Sequence, residues 1–362
     1  MKKELNSKNF IFKFLAVTFI ILMLCAGTVI LFDPFFHYHK PLPFLKAVLW
    51  EKEYQVPGTL DHFDYDAMIV GSSVSENNNN HWFDEAFGCT SIKAIRSYGA
   101  TSDLCYFIER GFKHQNLKYV FLNLDPSSLT TGTETTFEET GSPMYLYNNN
   151  PFDDVRYLFN KDVLCERIPY MLAASLMKDY DEGTSYNWAQ WKSFDEDTAL
   201  YHYIRDPHVT SMLPEDSFKE TALINIAKIE SIVSSHPETE FYIYIPPYSI
   251  LWWDTALRNG ETESYLYVER LAFTALLKYD NVRLFNFQNA EDIAFDLNNY
   301  TDNIHFGPDI NKYMCDCLKN GTYEIKNESD LEASLNMVHS YVINASEYVD
   351  TTFGDRVKVN PE

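Results

Sequence analysis

The chain has 362 residues, enough for one large domain with insertions or for two small domains. It is acidic, with a formal net charge of -23, which argues against nucleic-acid binding because that function needs a basic surface. Aromatic residues make up 16% of the chain, a share that fits either an aromatic core or a protein that handles glycans.

The first element is an uncharged, mostly apolar run of 19 residues from Phe14 to Phe32, long enough to cross a bilayer as a helix. Four lysines precede this run and Asp33 follows it, so the positive-inside rule predicts a cytoplasmic N-terminus. No small-residue cleavage site follows, and Leu24 before Cys25 does not fit a lipoprotein signal. We therefore expect residues 1–33 to be a cytoplasmic tail and an uncleaved signal anchor of a single-pass cell-membrane protein, whose catalytic domain is extracellular.

Residues 34–57 follow the anchor and contain four prolines, which predicts a stalk. His37 and His39 lie close enough in sequence to share a metal ion, but without nearby partner ligands the linker interpretation is preferred. Five of the six cysteines lie beyond the anchor, and an odd number does not make a disulfide framework. We expect neither a metal nor an organic cofactor.

Beyond the stalk, apolar strands alternate with amphipathic helices, a pattern typical of a parallel sheet with helices on both faces. The five predicted strands are 67–70, 90–98, 119–124, 240–245 and 282–287. The predicted helices between and after them are 76–87, 102–115, one from Asp216, 263–279 and 309–319. This α/β domain is expected to consist of residues 58–126 and 215–321.

Residues 127–214 interrupt the alternation and are polar at first, with Trp188 and Trp191 further on. Because this stretch follows the C-terminal end of a strand, it is expected to fold as a cap over the active edge of the sheet, with low-complexity filler as the alternative. Residues 322–362 are expected to be a C-terminal helix and tail, the helix opening with a capping box of Ser329 and Glu332.

The chemistry-bearing residues follow strand ends. Gly71-Ser72-Ser73 comes directly after the first strand, where a serine lies exposed and the first N–H groups of the next helix point at its substrate. Asp302 and His305 lie three residues apart after the fifth strand. Carboxyl ends of parallel strands share one edge of a sheet, which predicts that Asp302 orients His305 and that His305 deprotonates Ser73.

These motifs resemble the SGNH (GDSL-like) hydrolase superfamily, in particular its membrane-anchored bacterial branch similar to the DltD and AlgX/AlgJ acyltransferase proteins. Gly71-Ser72-Ser73, Gly99 and Asp302-x-x-His305 carry the resemblance, together with Pro246-Pro247-Tyr248-Ser249. It covers about residues 54–321 and implies a flavodoxin-like five-stranded parallel sheet, with Ser73 as nucleophile, His305 as base and Asp302 as orienting acid. It also implies an oxyanion hole formed by the backbone N–H groups of Ser73 and Gly99.

The sequence departs from the superfamily at its third block, Gly-x-Asn-Asp, which has no clean counterpart in Leu122-Asn123-Leu124-Asp125. Either Asn123 supplies the third oxyanion donor from a shifted register, or the hole has two donors. Ser72 is an alternative nucleophile, although the third residue of the triplet is the reactive one in the family register.

Four further residues are candidate substrate contacts. Tyr248, Trp252 and Trp253 follow a strand end, where they either stack on sugar rings or pack in the core. Asp125 either contacts the substrate or caps the turn.

The sequence thus predicts a membrane-anchored serine esterase or O-acyltransferase that moves a small acyl group on a cell-envelope polysaccharide or related polymer. The resemblance implies a multi-spanning membrane acyltransferase as partner. One alternative is a catalytically inactive envelope scaffold or glycan-binding protein with the same fold. A secreted lipase-like hydrolase is a second alternative, disfavoured by the anchor.

Overall fold

The computed structural model of the chain describes residues 2–206 and 209–360. The strands are β1 (Ala67–Gly71), β2 (Ser91–Ile95), β3 (Tyr119–Asn123), β4 (Ile204–Arg205), β5 (Glu240–Ile245), β6 (Val282–Asn286), β7 (Glu324–Ile325) and β8 (Lys358–Val359).

Fifteen α-helices are present in the described residues. They are α1 (Lys2–Phe32), α2 (Lys52–His62), α3 (Asn80–Phe87), α4 (Thr101–His114), α5 (Pro126–Thr130), α6 (Val155–Leu158), α7 (Ile168–Ser175), α8 (Glu196–His202), α9 (Lys219–Ser235), α10 (Ile250–Arg258), α11 (Thr262–Leu276), α12 (Glu291–Phe295), α13 (Pro308–Asn320), α14 (Glu328–Val342) and α15 (Ala345–Thr352).

The fold is α/β and is built on a mostly parallel sheet. Its strand order is β2-β1-β3-β5-β6-β7, in which only β7 pairs antiparallel, and β4 and β8 form a separate parallel pair. Every residue of β1 is buried, as expected for a central parallel strand. The five predicted strands are confirmed to within three residues at each end. The sixth, β7, was not predicted because a two-residue strand has no periodicity.

The helix predictions need three corrections. The helix after the first strand begins at Asn80 rather than at residue 76, because a 3-10 turn, Ser73–Ser75, intervenes. The C-terminal helix is capped by Asn327, whose side chain accepts from the Asp330 N–H, and not by Ser329. An Asn two residues earlier supplies the same acceptor. Several short helices, among them α2, α10 and α15, have no counterpart among the predicted helices.

The chain divides into two compact units. One consists of residues 1–63 and 141–182, and the other of residues 64–140 and 183–362. The sheet lies entirely in the second unit. The net negative charge is carried almost entirely by the second unit as well.

In the first unit, α1 is the one helix of the described chain that is long and apolar enough to cross a membrane. Its apolar stretch covers Ser7–Phe32, which includes the predicted span.

The predicted stalk, residues 34–57, is not an extended linker. Phe35, Phe36 and Val48 are buried, and the carboxylate of Asp33 accepts hydrogen bonds from the Tyr157 hydroxyl and from three backbone N–H groups at residues 37–39. Apolar side chains spaced between the prolines supply the buried surface, so these residues fold together with residues 141–182.

The predicted cap, residues 127–214, is likewise not one body. Residues 141–182 belong to the first unit, whereas residues 127–140 and the described residues from 183 to 214 belong to the unit that holds the sheet. Apolar residues such as Tyr157 and Met171 are buried against the region after α1, a long-range pairing that no local pattern reveals.

Candidate active site

The serine of the site lies on a tight turn after β1. The strand ends at Gly71, and the turn Ser73–Ser75 begins two residues later. A Cβ atom on Gly71 would lie 2.8 Å from the Asn123 Cβ atom, closer than real carbon contacts allow. The glycine is therefore required by the close packing of the strand end, and it sets the position of Ser73.

The histidine of the site lies on a small closed loop. Its ends are joined by an antiparallel bridge between Tyr300 and Phe306, and the Thr301 N–H donates to the His305 carbonyl at 2.9 Å. The Asp302 carboxylate accepts from the N–H groups of Ile304 and His305 at 2.8 and 2.7 Å, which forms an Asx turn. The loop therefore has a fixed shape.

The segment that directly follows β5 holds this loop in place through two hydrogen bonds. The Tyr300 hydroxyl donates to the Pro247 carbonyl at 2.7 Å, and Ser249 Oγ donates to the Asn303 carbonyl at 2.7 Å. The Pro246-Pro247-Tyr248-Ser249 motif thus positions the histidine loop.

The structure brings the three predicted catalytic side chains together. Ser73 Oγ lies 2.8 Å from His305 Nε2, and His305 Nδ1 lies 2.8 Å from Asp302 Oδ2. All three side chains are partly buried, His305 at 22% exposed and Asp302 at 29%. These distances are within the range for proton transfer along a Ser–His–Asp chain.

Asp302 is held in its ionised form. Burial opposes ionisation, but the hydrogen bond from His305 and the electrostatic attraction between the two side chains, together with two backbone N–H donors, lower the pKa of Asp302 below its ordinary value. An ionised Asp302 fixes the proton on Nδ1 of His305, so that Nε2 is free to accept a proton from Ser73.

A cavity of about 260 Å³ opens beside Ser73 and His305. The residues that line it are Ser72, Ser73, Tyr98, Gly99, Asp125, Ser127, Ser128, Thr131, Tyr248, Trp252, Ile304 and His305. A second cavity, of about 270 Å³, shares Tyr98, Ile304 and His305 and extends towards Lys192 and His202. Small acyl groups and one sugar ring are of a size that fits such cavities.

The predicted oxyanion donors are only partly in place. Ser73 is the first residue of its 3-10 turn, so its N–H has no acceptor within that turn. The Gly99 N–H lies at the cavity but donates to the Arg96 carbonyl at 3.1 Å. Asn123 is fully buried and donates to Asp125 Oδ1 at 3.1 Å instead of lining the cavity. The structure therefore contradicts the assignment of Asn123 as a donor.

Asp125 lies at the cavity wall in a ring of donors. Its carboxylate accepts hydrogen bonds from Ser72, Asn123 and Tyr248. Burial raises the pKa of Asp125 above its ordinary value, although these hydrogen bonds and the nearby His305 oppose the rise. A carboxylate here supports the cavity wall but would repel a developing oxyanion.

Of the three aromatic residues named as candidate substrate contacts, two line the cavity and one does not. Tyr248 is buried at 2% exposed, lines the cavity and donates to Asp125. Trp252 lines the cavity and stacks on Tyr248 at 4.6 Å between ring centroids. Trp253 is fully buried on α10, which agrees with the alternative of core packing and not with a substrate contact. Successive residues of a helix point to different sides, and only the first faces the cavity.

Trp188 is a site residue that sequence reasoning did not single out. Its indole N–H donates to the Ser73 carbonyl at 3.3 Å, and its ring meets the His305 ring edge-on at 5.3 Å. The loop that carries it is held by the Asn77 side chain, which accepts from the N–H groups of Trp188 and Ala189. Trp188 therefore packs against both the serine turn and the histidine.

Tyr98 is the second such residue. It is 89% exposed and has a left-handed backbone, with φ of 54°, although it is not glycine. It lines both cavities. Strained backbone and an exposed aromatic ring at a cavity mouth are features of ligand-binding positions. The only signal in the sequence is the following Gly99, which marks the end of the strand.

No family model, curated protein or solved structure matches this chain.

Proposed function

We propose that this chain is a membrane-anchored, extracytoplasmic serine esterase or O-acyltransferase of the SGNH type, acting on a cell-envelope polysaccharide or a related polymer. The observation that carries the proposal is the hydrogen-bonded chain from Ser73 through His305 to Asp302, with both distances at 2.8 Å. The order of the five parallel strands is that of flavodoxin-like folds, which adds support.

The geometry suits acyl transfer through a covalent intermediate. His305 Nε2 accepts the Ser73 proton as Oγ attacks the carbonyl carbon of an acyl ester, and the Ser73 N–H donates to the oxyanion. His305 then returns the proton to the departing alcohol, which leaves an acyl ester on Ser73. Attack by a sugar hydroxyl on this ester completes transfer, and attack by water completes hydrolysis.

The apolar helix α1 supports the membrane location and suggests how the acyl group arrives. Common activated acyl donors are cytoplasmic, so an enzyme outside the membrane needs a partner that brings the acyl group across. A multi-spanning membrane acyltransferase would serve that role, and no cofactor or metal enters the proposed chemistry.

The test is covalent labelling of the detergent-solubilised full chain. A fluorophosphonate or a p-nitrophenyl acyl ester should add one adduct on Ser73, detected by intact mass and peptide mapping. Ser73→Ala should abolish the adduct. Ser72→Ala is the matched control, because Ser72 lines the same cavity but bonds Asp125, and it should keep the adduct on Ser73. If the Ser73→Ala variant still formed the adduct, as the Ser72→Ala variant should, the proposal would be contradicted.

A second candidate function is an inactive scaffold or glycan-binding protein with the same fold. The observation that favours it is that the oxyanion hole lacks a donor. The Asn123 amide donates to Asp125 instead of lining the cavity, and the Asp125 carboxylate faces the cavity. Loss of one donor costs on the order of 2.7–4 kcal/mol in the transition state. Binding of oligosaccharides without any adduct or ester turnover would identify this alternative.

A further inference from the structure

The end of α1 packs against the rest of its unit. Most of the helix is exposed, but Ala26 and Val29 are buried, and α1 contacts α6 and the π-helical turn Val163–Arg167. Phe32 packs on a cluster formed by Val48, Met171 and Ala174. Residues 152–177 are therefore held beside the last turns of the apolar helix.

The length of the helix fixes the depth of these contacts if α1 crosses the membrane, as proposed. The uncharged run of 19 residues is about 28 Å long at 1.5 Å per residue, close to the ~30 Å of a hydrocarbon core. With Phe32 at the outer boundary, Val29 lies about 4.5 Å and Ala26 about 9 Å within it. Because the buried side chains of α1 lie in its last turns, the elements that pack against this end of the helix must lie at the level of the lipid headgroups or just below it.

The segment that includes α6 carries unusual exposed apolar side chains. Phe152 is 87% exposed, Val155 is 52% and Phe159 is 43%. We name these three residues the α6 patch. Arg156, between Val155 and Phe159, and Lys161, after Phe159, are exposed. Such long basic side chains can reach lipid phosphates. The Trp50 ring packs edge-on against the ring of Tyr170, which lies on α7, and such aromatic side chains are enriched at membrane interfaces.

We propose that the α6 patch is a membrane-interface surface, whose three apolar side chains insert among the headgroups and upper acyl chains of the bilayer that α1 crosses. The occupant is lipid because α6 packs against α1, the one helix of the described residues that is long and apolar enough to cross a membrane. The weak net charge of this unit, compared with the acidic second unit, removes the repulsion that an anionic bilayer would exert. This inference rests on the proposed membrane anchoring and not on the proposed catalysis.

Spin labels in the full chain, reconstituted in vesicles of phosphatidylcholine with anionic phosphatidylglycerol, test the proposal. In a background with all six cysteines replaced, single cysteines are placed at Phe152, at Phe159 and, as the matched control, at the exposed apolar Leu223 on α9. Labels at positions 152 and 159 should collide more with oxygen than with a water-soluble nickel chelate, and the label at 223 should show the reverse.

Two results overturn the proposal. Nickel accessibility at 152 and 159 equal to that at 223 would place the patch in water. Protection from both reagents would show that protein, either a partner or a second copy, covers the patch. The thermal midpoint of each variant verifies that it is folded, and fluorophosphonate labelling of Ser73 reports separately on the proposed chemistry.

Discussion

Asp302 has two duties that a single substitution separates. One carboxylate oxygen accepts the N–H groups of Ile304 and His305, and the other accepts from His305 Nδ1. In Asp302→Asn, the amide oxygen can keep the backbone bonds while the amide N–H faces Nδ1. His305 would then carry its proton on Nε2, where it cannot accept the proton of Ser73.

We therefore expect Asp302→Asn to fold normally and to lose about 10⁴-fold in kcat for ester turnover. The measurement is hydrolysis of a soluble ester beside the thermal midpoint. Asp296→Asn is the matched control, since Asp296 caps a turn in the same way but has no bond to the histidine. Similar activity in the two variants would remove Asp302 from the mechanism.

Tyr98 should show a trade between stability and substrate affinity. A left-handed backbone costs a residue other than glycine or asparagine roughly 1–2 kcal/mol. Tyr98→Asn should therefore raise the free energy of unfolding by about 1 kcal/mol, measured by denaturant titration. If the exposed ring holds substrate, KM for an oligosaccharide ester should rise while kcat stays the same. A variant with unchanged stability and unchanged KM would contradict both expectations.

Some residues of the candidate site could be predicted from the sequence and others could not. Ser73, Asp302 and His305 could be predicted because each follows a strand, and parallel topology brings strand ends to one edge. Trp188 could not, because its contact with Ser73 spans 115 residues and depends on a loop without a regular pattern. Asn123 does not serve as a donor at the cavity for a different, local reason, because its amide is buried and donates to Asp125 two residues further along the chain.

Among the elements, α11 carries a buried acid that should make stability depend on pH. Glu269 has no exposed surface and one partner, the Gln288 amide at 3.1 Å. Burial raises its pKa to about 8. Between the ordinary value of about 4.3 and this raised value, the folded chain holds a proton that the unfolded chain lacks. Stability is therefore highest below the lower value and falls as the pH rises.

Glu269→Gln should remove this dependence. The parent protein should lose up to about 1.4 kcal/mol of unfolding free energy per pH unit between pH 5 and 8 from this group, and the variant should show a flatter profile. Glu220→Gln, at an exposed position on α9, serves as the control and should behave as the parent. Equal slopes in parent and Glu269→Gln would mean that Glu269 is ionised in the folded state.

Local sequence patterns predict the strands of the sheet but not the burial of residues 34–57. The parallel strands were readable because a strand buried on both faces is a continuous apolar run. Prolines dominate the local pattern of residues 34–57 and predict a stalk, whereas Phe35 is buried with a partner, Tyr157, that lies 122 residues away. A burial that depends on distant sequence leaves no periodic signal.

For the whole molecule, the first unit should depend on the N-terminal residues. Deleting residues 1–33 removes the Asp33 carboxylate, which binds the buried Tyr157 hydroxyl at 2.7 Å, and the Val29 side chain on the buried face of α1. We expect residues 141–182 to become sensitive to limited proteolysis, while the unit that contains the sheet stays resistant. Mass spectrometry of the fragments locates the cuts.

A chain that lacks only residues 1–12 is the matched control, since it keeps Asp33 and the buried face of α1. Equal resistance of residues 141–182 in both shortened chains would show that this unit does not need residues 13–33.

The split of the first unit between residues 1–63 and 141–182 has a consequence for the order of biosynthesis. Asp33 and Tyr157 are 124 residues apart, so the nascent chain must release the whole first half of the sheet before this pair can form. Contacts of such long separation form slowly. If α1 crosses the membrane as proposed, it would enter the bilayer during translation before its partner residues are made, and β1 to β3 would emerge before either unit is complete. A ribosome stalled before residue 182 should hold a chain with neither unit closed, the stage at which chaperones would be needed most.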